Sequence, residues 1–321
     1  MFLRVVNELA VLAFVMAFLW VTPATLAHTP VGFLLTNAVA VPSTTDDARA
    51  VPEVYFEWDG PVGKTAMERC HNALIQRGGE IVAAIVPVSL EPEPVRCLLL
   101  DHPSFQKHFA GTLPDWGIGV ALPDGRTIAL DYDRTPEIGR SLEEIFLHEL
   151  THALVFQAAG GVWIPTWLHE GAAMWHSGEW RFVDTVAVVL NGSLPPLWKL
   201  QGRFPANASW ADQAYRTSLL AYEALRKDYG EDVVARLIAA MGRVGDFEQA
   251  FLEITGDSTE EFAGHFAGAM KLRFGWLFTV TRWPTLFVLL AVVFAIGAVG
   301  RLVRKRRQLA AMADDYHEGE S

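Results

Sequence analysis

Residues 146–155 read FLHELTHALV, with His148 and His152 four apart and Glu149 directly after the first histidine. On an α-helix that spacing sets both imidazoles on one face, one turn apart, so the pair can chelate a single ion. Neutral imidazole nitrogens suit Zn²⁺ at about 2.0–2.1 Å, and the residue beside the first ligand sits close to the metal without binding it. A carboxylate there, Glu149, can take a proton from zinc-activated water and deliver it to a leaving amine, which is the chemistry of peptide hydrolysis. A catalytic zinc needs three protein ligands and an open position. Glu170 in WLHEGAAMW, eighteen positions after His152, is the expected third, so that one zinc ion is held by His148, His152 and Glu170. His169 is the rival, but neighbours on a helix diverge by about 100°, and at most one of the two can face the ion. His169 is then expected behind the ligands or towards substrate.

The elements that must position these groups are partly legible. Ser141 and Glu144 form a capping box for a helix running to about Ala158, where Gly160 and Gly161 end it; Leu147, Leu150 and Leu154 make its apolar stripe. The glycine pair and Pro165 allow the chain to reverse, and Thr166 can cap a second helix from Trp167 that carries Glu170. Ser209 with Asp212 opens a third helix ending at Gly230, and Ser258 with Glu260 and Glu261 opens another. Upstream, 63–79 suits a helix stopped by Gly78 and Gly79, followed by β-like runs at 81–88 and 96–100. GIGVALPDGRTIALDYD, 117–133, reads as a hairpin turning at Pro123, Asp124 and Gly125. Strands first and helices after argue for an α+β domain, a small mixed sheet followed by helices.

The chain has 321 residues and a net charge of -11, with the excess acid between 28 and 275. Such a surface repels polyanions, so no nucleic-acid partner is expected. Residues 9–21 are an apolar run after Arg4, and Thr25 and Ala27 offer a small-residue cleavage site, so 1–27 reads as a signal peptide, with an uncleaved anchor as the alternative. Residues 28–53 read as a linker and 54–275 as the domain. The uncharged run 283–300 is followed by Arg301, Arg304, Lys305, Arg306 and Arg307, which predicts a C-terminal transmembrane helix with 301–321 in the cytoplasm. The expectation is a single-pass protein of the cell membrane with its domain outside the cytoplasm. Cys70 and Cys97 would there form a disulfide or remain two buried thiols. Asn191 and Asn207 fit glycosylation patterns, and His71, His102, His108, His176 and His265 are scattered side chains without ligand spacing.

HELTH, a spacer of this length and WLHEGAA resemble the gluzincins, the peptidase MA-like group whose relatives include thermolysin and the aminopeptidase N-like enzymes. Where that group often has asparagine in a W-L-N-E-G turn, this chain has His169. Segments 214–230 and 247–262 are similar to the helices that follow the motif in the group, so the resemblance spans most of 54–275. It implies a zincin-like metallopeptidase fold acting on a peptide or protein substrate. It also implies Tyr215 as the phenol that stabilises the oxyanion, although a core tyrosine beside Leu219 and Tyr222 explains the residue equally well. An edge strand that pairs with extended substrate is implied as well, either GIGVA (117–121) or TIALD (127–131). The expected function is thus a membrane-anchored zinc peptidase. The alternative is a catalytically inactive metallopeptidase-like module that binds or assembles at the membrane surface.

Overall fold

The computed structural model describes residues 37–41, 51–109, 117–135, 139–179, 194–202, 204, 208–281 and 283–318. The expected signal peptide at 1–27 and the glycosylation sites at Asn191 and Asn207 lie outside the described residues. The described residues form two compact units, with the division after Ala267.

In the first unit, β1 (Asn37–Val41), β2 (Val54–Trp58), α1 (Gly60–Ile85), β3 (Val95–Leu100), α2 (His102–Phe109), β4 (Gly119–Ala121) and β5 (Thr127–Asp131) come first. The helices α3 (Leu142–Ala159), α4 (Thr166–Ser177), α5 (Ala208–Tyr229), α6 (Val233–Val244) and α7 (Phe247–Thr255) follow, and α8 (Thr259–Thr281) runs on past Ala267, where the first unit ends. The sheet order is β1-β2-β3-β5-β4: β2, β3 and β5 run parallel, and the antiparallel β1 and β4 form the edges. The α+β class with a small mixed sheet is therefore observed, although its central strands arise by helical crossovers that the strands-then-helices order did not convey. β1 falls within the segment read as linker, where it pairs with β2 from Asn37 opposite Trp58 to Val41 opposite Val54.

The central strands are covered on both faces. Phe105 of α2 packs with Leu98, Leu100 and Ala129 on one side, while Phe56 of β2 meets Phe146 of α3 with ring centroids 5.7 Å apart on the other. Near-continuous burial of Val95–Leu100 and Thr127–Asp131 follows from that double cover. Residues 81–85 of the expected strand at 81–88 are instead the end of α1, because Gly78 and Gly79 do not stop the helix. Neither adopts a positive φ, and Gly78 is a close-packing position where a Cβ would lie 2.7 Å from Val51 Cγ1. Cys70 and Cys97 are both buried and free, so the disulfide alternative falls; burial pushes both thiols up in pKa.

The hairpin at 117–133 forms as β4 and β5. Asp124 accepts from the amides of Arg126 at 2.8 Å and Thr127 at 3.1 Å, and Gly125 takes φ 66°. Gln157 near the end of α3 donates to Gly125 O at 2.7 Å and Glu93 O at 3.1 Å, which ties the hairpin to that helix.

In the second unit, α9 (Trp283–Glu318) continues without a break from the apolar run into Arg301, Arg304, Lys305 and Arg306. The expected transmembrane helix and single-pass membrane location are not upheld: among the described residues no helix is long and apolar enough to cross a membrane. The uncharged run 283–300 rises about 27 Å at 1.5 Å per residue, against roughly 30 Å of hydrocarbon.

Candidate metal centre

α3 starts as its sequence dictates. Ser141 Oγ accepts from the Glu144 amide at 3.1 Å and Glu144 Oε2 accepts from the Ser141 amide at 2.9 Å, while Gly160 ends the helix at φ 59°. The helix is buried almost all round and not only along the leucine stripe, so even its polar residues need internal partners. Thr151 satisfies itself by donating to Leu147 O at 2.8 Å.

Thr166 is the first residue of α4 and does not cap it with its side chain; Pro165 precedes the helix, and the Thr166 amide donates to Gln201 O at 3.0 Å. α4 carries Glu170, and Gly171 lets it cross α5 closely: a Cβ on Gly171 would meet Tyr222 Cβ at 2.8 Å and the Ser218 carbonyl.

These helices bring His148, His152 and Glu170 together as the one group among the described residues fit to hold a metal ion. His148 Nε2 and His152 Nε2 stand 3.0 Å apart, and each lies 3.5 Å from Glu170 Oε2. Two atoms bound to a tetrahedral ion at about 2.05 Å stand about 3.3 Å apart, so this triangle has the size such an ion requires. His169 is buried but outside the triangle, its ring edge-on to His152 with centroids 5.1 Å apart, and burial pushes its pKa down to about 3.

Glu149, next to His148 on the same helix, is fully buried. Burial lifts its pKa to about 8, against the opposing charge of His148, and the Ala121 amide faces it. A Cβ on Gly119 would lie 2.6 Å from Glu149 Oε1, so β4 passes directly over this carboxylate. Of the two candidate edge strands, β4 (in GIGVA) lies at the rim and β5 (TIALD) lies inside the sheet. In the β4–β5 ladder, Leu122 donates to Thr127 O and Asp131 to Ile118 O, both at 2.8 Å, so the alternate amides of Gly119 and Ala121 face away from β5.

Glu179 was not anticipated. Its Oε1 lies 2.8 Å from His148 Nδ1 and its Oε2 pairs with Arg140, all within the protein interior. Although burial opposes it, these two cations hold the Glu179 carboxyl down to about 2. Burial likewise disfavours charge on His148, but Glu179, Glu170 and Glu149 outweigh it and raise the pKa to about 10; His152, buried beside that charge, is pushed well below the usual range. A ligand histidine regularly gives its second ring N–H to a carboxylate. The available signal was that Glu179 is the first acid after Glu170 in the chain.

Tyr215 on α5 is buried against Phe204, with centroids 5.2 Å apart. Burial raises its pKa well above the ordinary value, and Glu170, Glu149 and Glu179 add to the rise, so its phenol stays neutral within range of the cluster. Of the scattered histidines, His176 bonds Tyr222 Oη at 2.8 Å and His102 meets Asp131 Oδ2 at 2.7 Å.

Residues 93–269 match the family model of the Peptidase MA superfamily. The chain belongs to that superfamily. The match contains β4, the hairpin and the three helices α3, α4 and α5 that carry the candidate site residues. The chain is also similar to the uncharacterized protein YhcO of Bacillus subtilis (strain 168), 24% identical over 154 residues, covering 46% of this chain and 47% of that protein. It thus spans about half the length of the curated relative it matches.

Proposed function

We propose that this Peptidase MA domain hydrolyses peptide bonds with one zinc ion held by His148 Nε2, His152 Nε2 and Glu170. The observation that carries the reading is the triangle of ligand atoms, 3.0, 3.5 and 3.5 Å on its sides, with a buried carboxylate next to the first ligand. When bound, zinc supplies Lewis acidity that activates water and polarises the scissile carbonyl. In this reading Glu149, next to the first ligand and lifted towards neutral pKa by burial, accepts the proton of the attacking water and passes it to the leaving amine. Tyr215, kept neutral, can donate a hydrogen bond to the carbonyl oxygen as negative charge develops there. The outward Gly119 amide on the rim strand β4 can pair with the main chain of an extended peptide or protein substrate as an added strand. Glu179 keeps the His148 ring aimed at the centre of the triangle.

The test is Glu149→Gln. Because Glu149 is not a ligand, the variant should retain about one zinc per chain and the parental fold, while cleavage of a peptide library falls by about 10²–10⁴-fold. Cleavage at the parental rate would move the base elsewhere. A parent protein that holds zinc and cleaves nothing in the library would leave a metal-holding module without turnover.

A further inference from the structure

Arg140 stands directly ahead of Ser141, the capping residue of α3. Its side chain is only 11% exposed, and its guanidinium pairs with Oε2 of Glu179. The other oxygen of the same carboxylate, Oε1, lies 2.8 Å from Nδ1 of His148. Glu179 therefore has one oxygen committed to each partner. A continuous chain runs from Arg140 through Glu179 and the His148 ring to Nε2, which faces His152 and Glu170. An imidazole can rotate about its bond to Cβ, and a carboxylate beyond a glycine turn can swing. With Gly178 at φ 79° just ahead of Glu179, the carboxylate needs an anchor on its far side.

Charge gives a second argument. Glu149, Glu170 and Glu179 are 0%, 1% and 5% exposed, an accumulation of buried negative charge that requires compensation. A dication and one guanidinium would together balance three carboxylates, and Arg140 is ion-paired within this cluster.

We propose that Arg140 is the positioning residue of the metal centre: by anchoring Glu179 it fixes the His148 ring and so sets the affinity for a zinc ion. The proposal rests on the reading of the cluster as a metal site. It predicts a sign that simple electrostatics does not. If Arg140 acted only through its charge, removing it would leave the site more negative and zinc would bind more tightly. If it acts by orientation, removing it frees Glu179 and His148, and zinc binds more weakly, on the scale of 10–100-fold found for such outer partners.

The experiment measures the zinc dissociation constant of the full chain by chelator competition, with the visible absorption of the Co²⁺-loaded protein as a report on ligand geometry. Arg140→Gln and Glu179→Gln should each weaken zinc binding by about 10–100-fold and alter the cobalt band. The double variant should be no worse than the poorer single one, because both act through one link. Arg140→Lys, which can still pair with Oε2, should recover most of the affinity; it also serves if the glutamine variant does not fold. Arg69→Gln breaks the bidentate tie from α1 to Glu143 on the first turn of α3, at 2.7 and 2.6 Å, and should leave zinc affinity unchanged. Unchanged or tighter binding in folded Arg140→Gln overturns the proposal, as does a folded lysine variant no better than glutamine or an equal loss in Arg69→Gln. A parent chain that binds no zinc would instead overturn the metal reading itself.

Discussion

Replacing Gly119 by alanine is expected to disable turnover while leaving fold and metal affinity in place. Gly119 lies outside the left-handed region, so its backbone accepts alanine, and the reduced freedom of the unfolded chain contributes about 0.4–1 kcal/mol of stability. The new Cβ would meet Glu149 Oε1 at 2.6 Å, Ile145 Cγ2 at 3.0 Å and Glu149 Cγ at 3.1 Å. Since an ordinary contact needs roughly 3.5 Å, the carboxylate must retreat by about 0.9 Å. Glu149 is the partner that yields, because β4 is fastened to β5 on one side and the hairpin is fastened to Gln157 on the other. A misplacement of about 1 Å at a reacting group can cost on the order of 10²-fold, or about 2.7 kcal/mol of transition-state stabilisation. The fold bears crowding of about 1–3 kcal/mol, partly offset by the chain-entropy gain. The assay is kcat/KM on a peptide cleaved by the parent, with zinc affinity and thermal midpoint measured alongside. A folded Gly119→Ala protein that cleaves at the parental rate would refute the claim that β4 holds Glu149 in its working position.

Three further outcomes follow. In the metal-free protein the folded pKa of His148 is about 10 and that of Glu149 about 8, both above their ordinary values of 6.5 and 4.5. Stability from the raised histidine is complete below about 6.5 and that from the raised carboxyl below about 4.5; each is lost as pH rises through the folded pKa. Chelator-treated protein should therefore melt at lower temperature as pH goes from 6.5 to 10, and zinc, which needs His148 deprotonated, should release a proton on binding, measured by calorimetry in buffers of different ionisation heat. A thermal midpoint that rises over that range would contradict the buried, charged His148. Gly171→Ala forces α4 and α5 apart where a Cβ would meet the Ser218 backbone and Tyr222 Cβ, and should cost about 1–3 kcal/mol or more in denaturant unfolding; an unchanged midpoint would contradict the close crossing.

The features readable in the sequence are those fixed by neighbours within about one helical turn or one hairpin. His148 and His152 share a face because four residues nearly complete a turn, and that holds before any tertiary contact forms. Ser141 with Glu144, Gly160, and the turn at Asp124 and Gly125 are likewise local hydrogen-bonding devices, and all occur where their residues predict. Glycine was ambiguous for the same local reason. Gly160 ends a helix by taking φ 59°, whereas Gly78 continues one because it is needed for its small size against Val51, a distant partner in the chain. Ile81, Val82 and Ile85 after it therefore stayed helical.

Everything decided by residues far apart in the chain waited for the tertiary structure. Glu170, not His169, joins the triangle because Gly171 must face α5 at a distance only glycine allows, and that contact sets the rotation of α4. Strand β4 became the rim because β5 pairs on both sides, an arrangement that two similar apolar segments could not announce. A buried cluster of carboxylates imposes a long-range condition, since each charge must find a partner wherever the fold supplies one. Glu179 and Arg140 meet that condition from opposite ends of two helices, and the sequence carries no local pattern that links them. The sequence determined the helical pair of histidines with its adjacent carboxylate; only the folding of distant segments onto that helix decided which groups complete, orient and neutralise it.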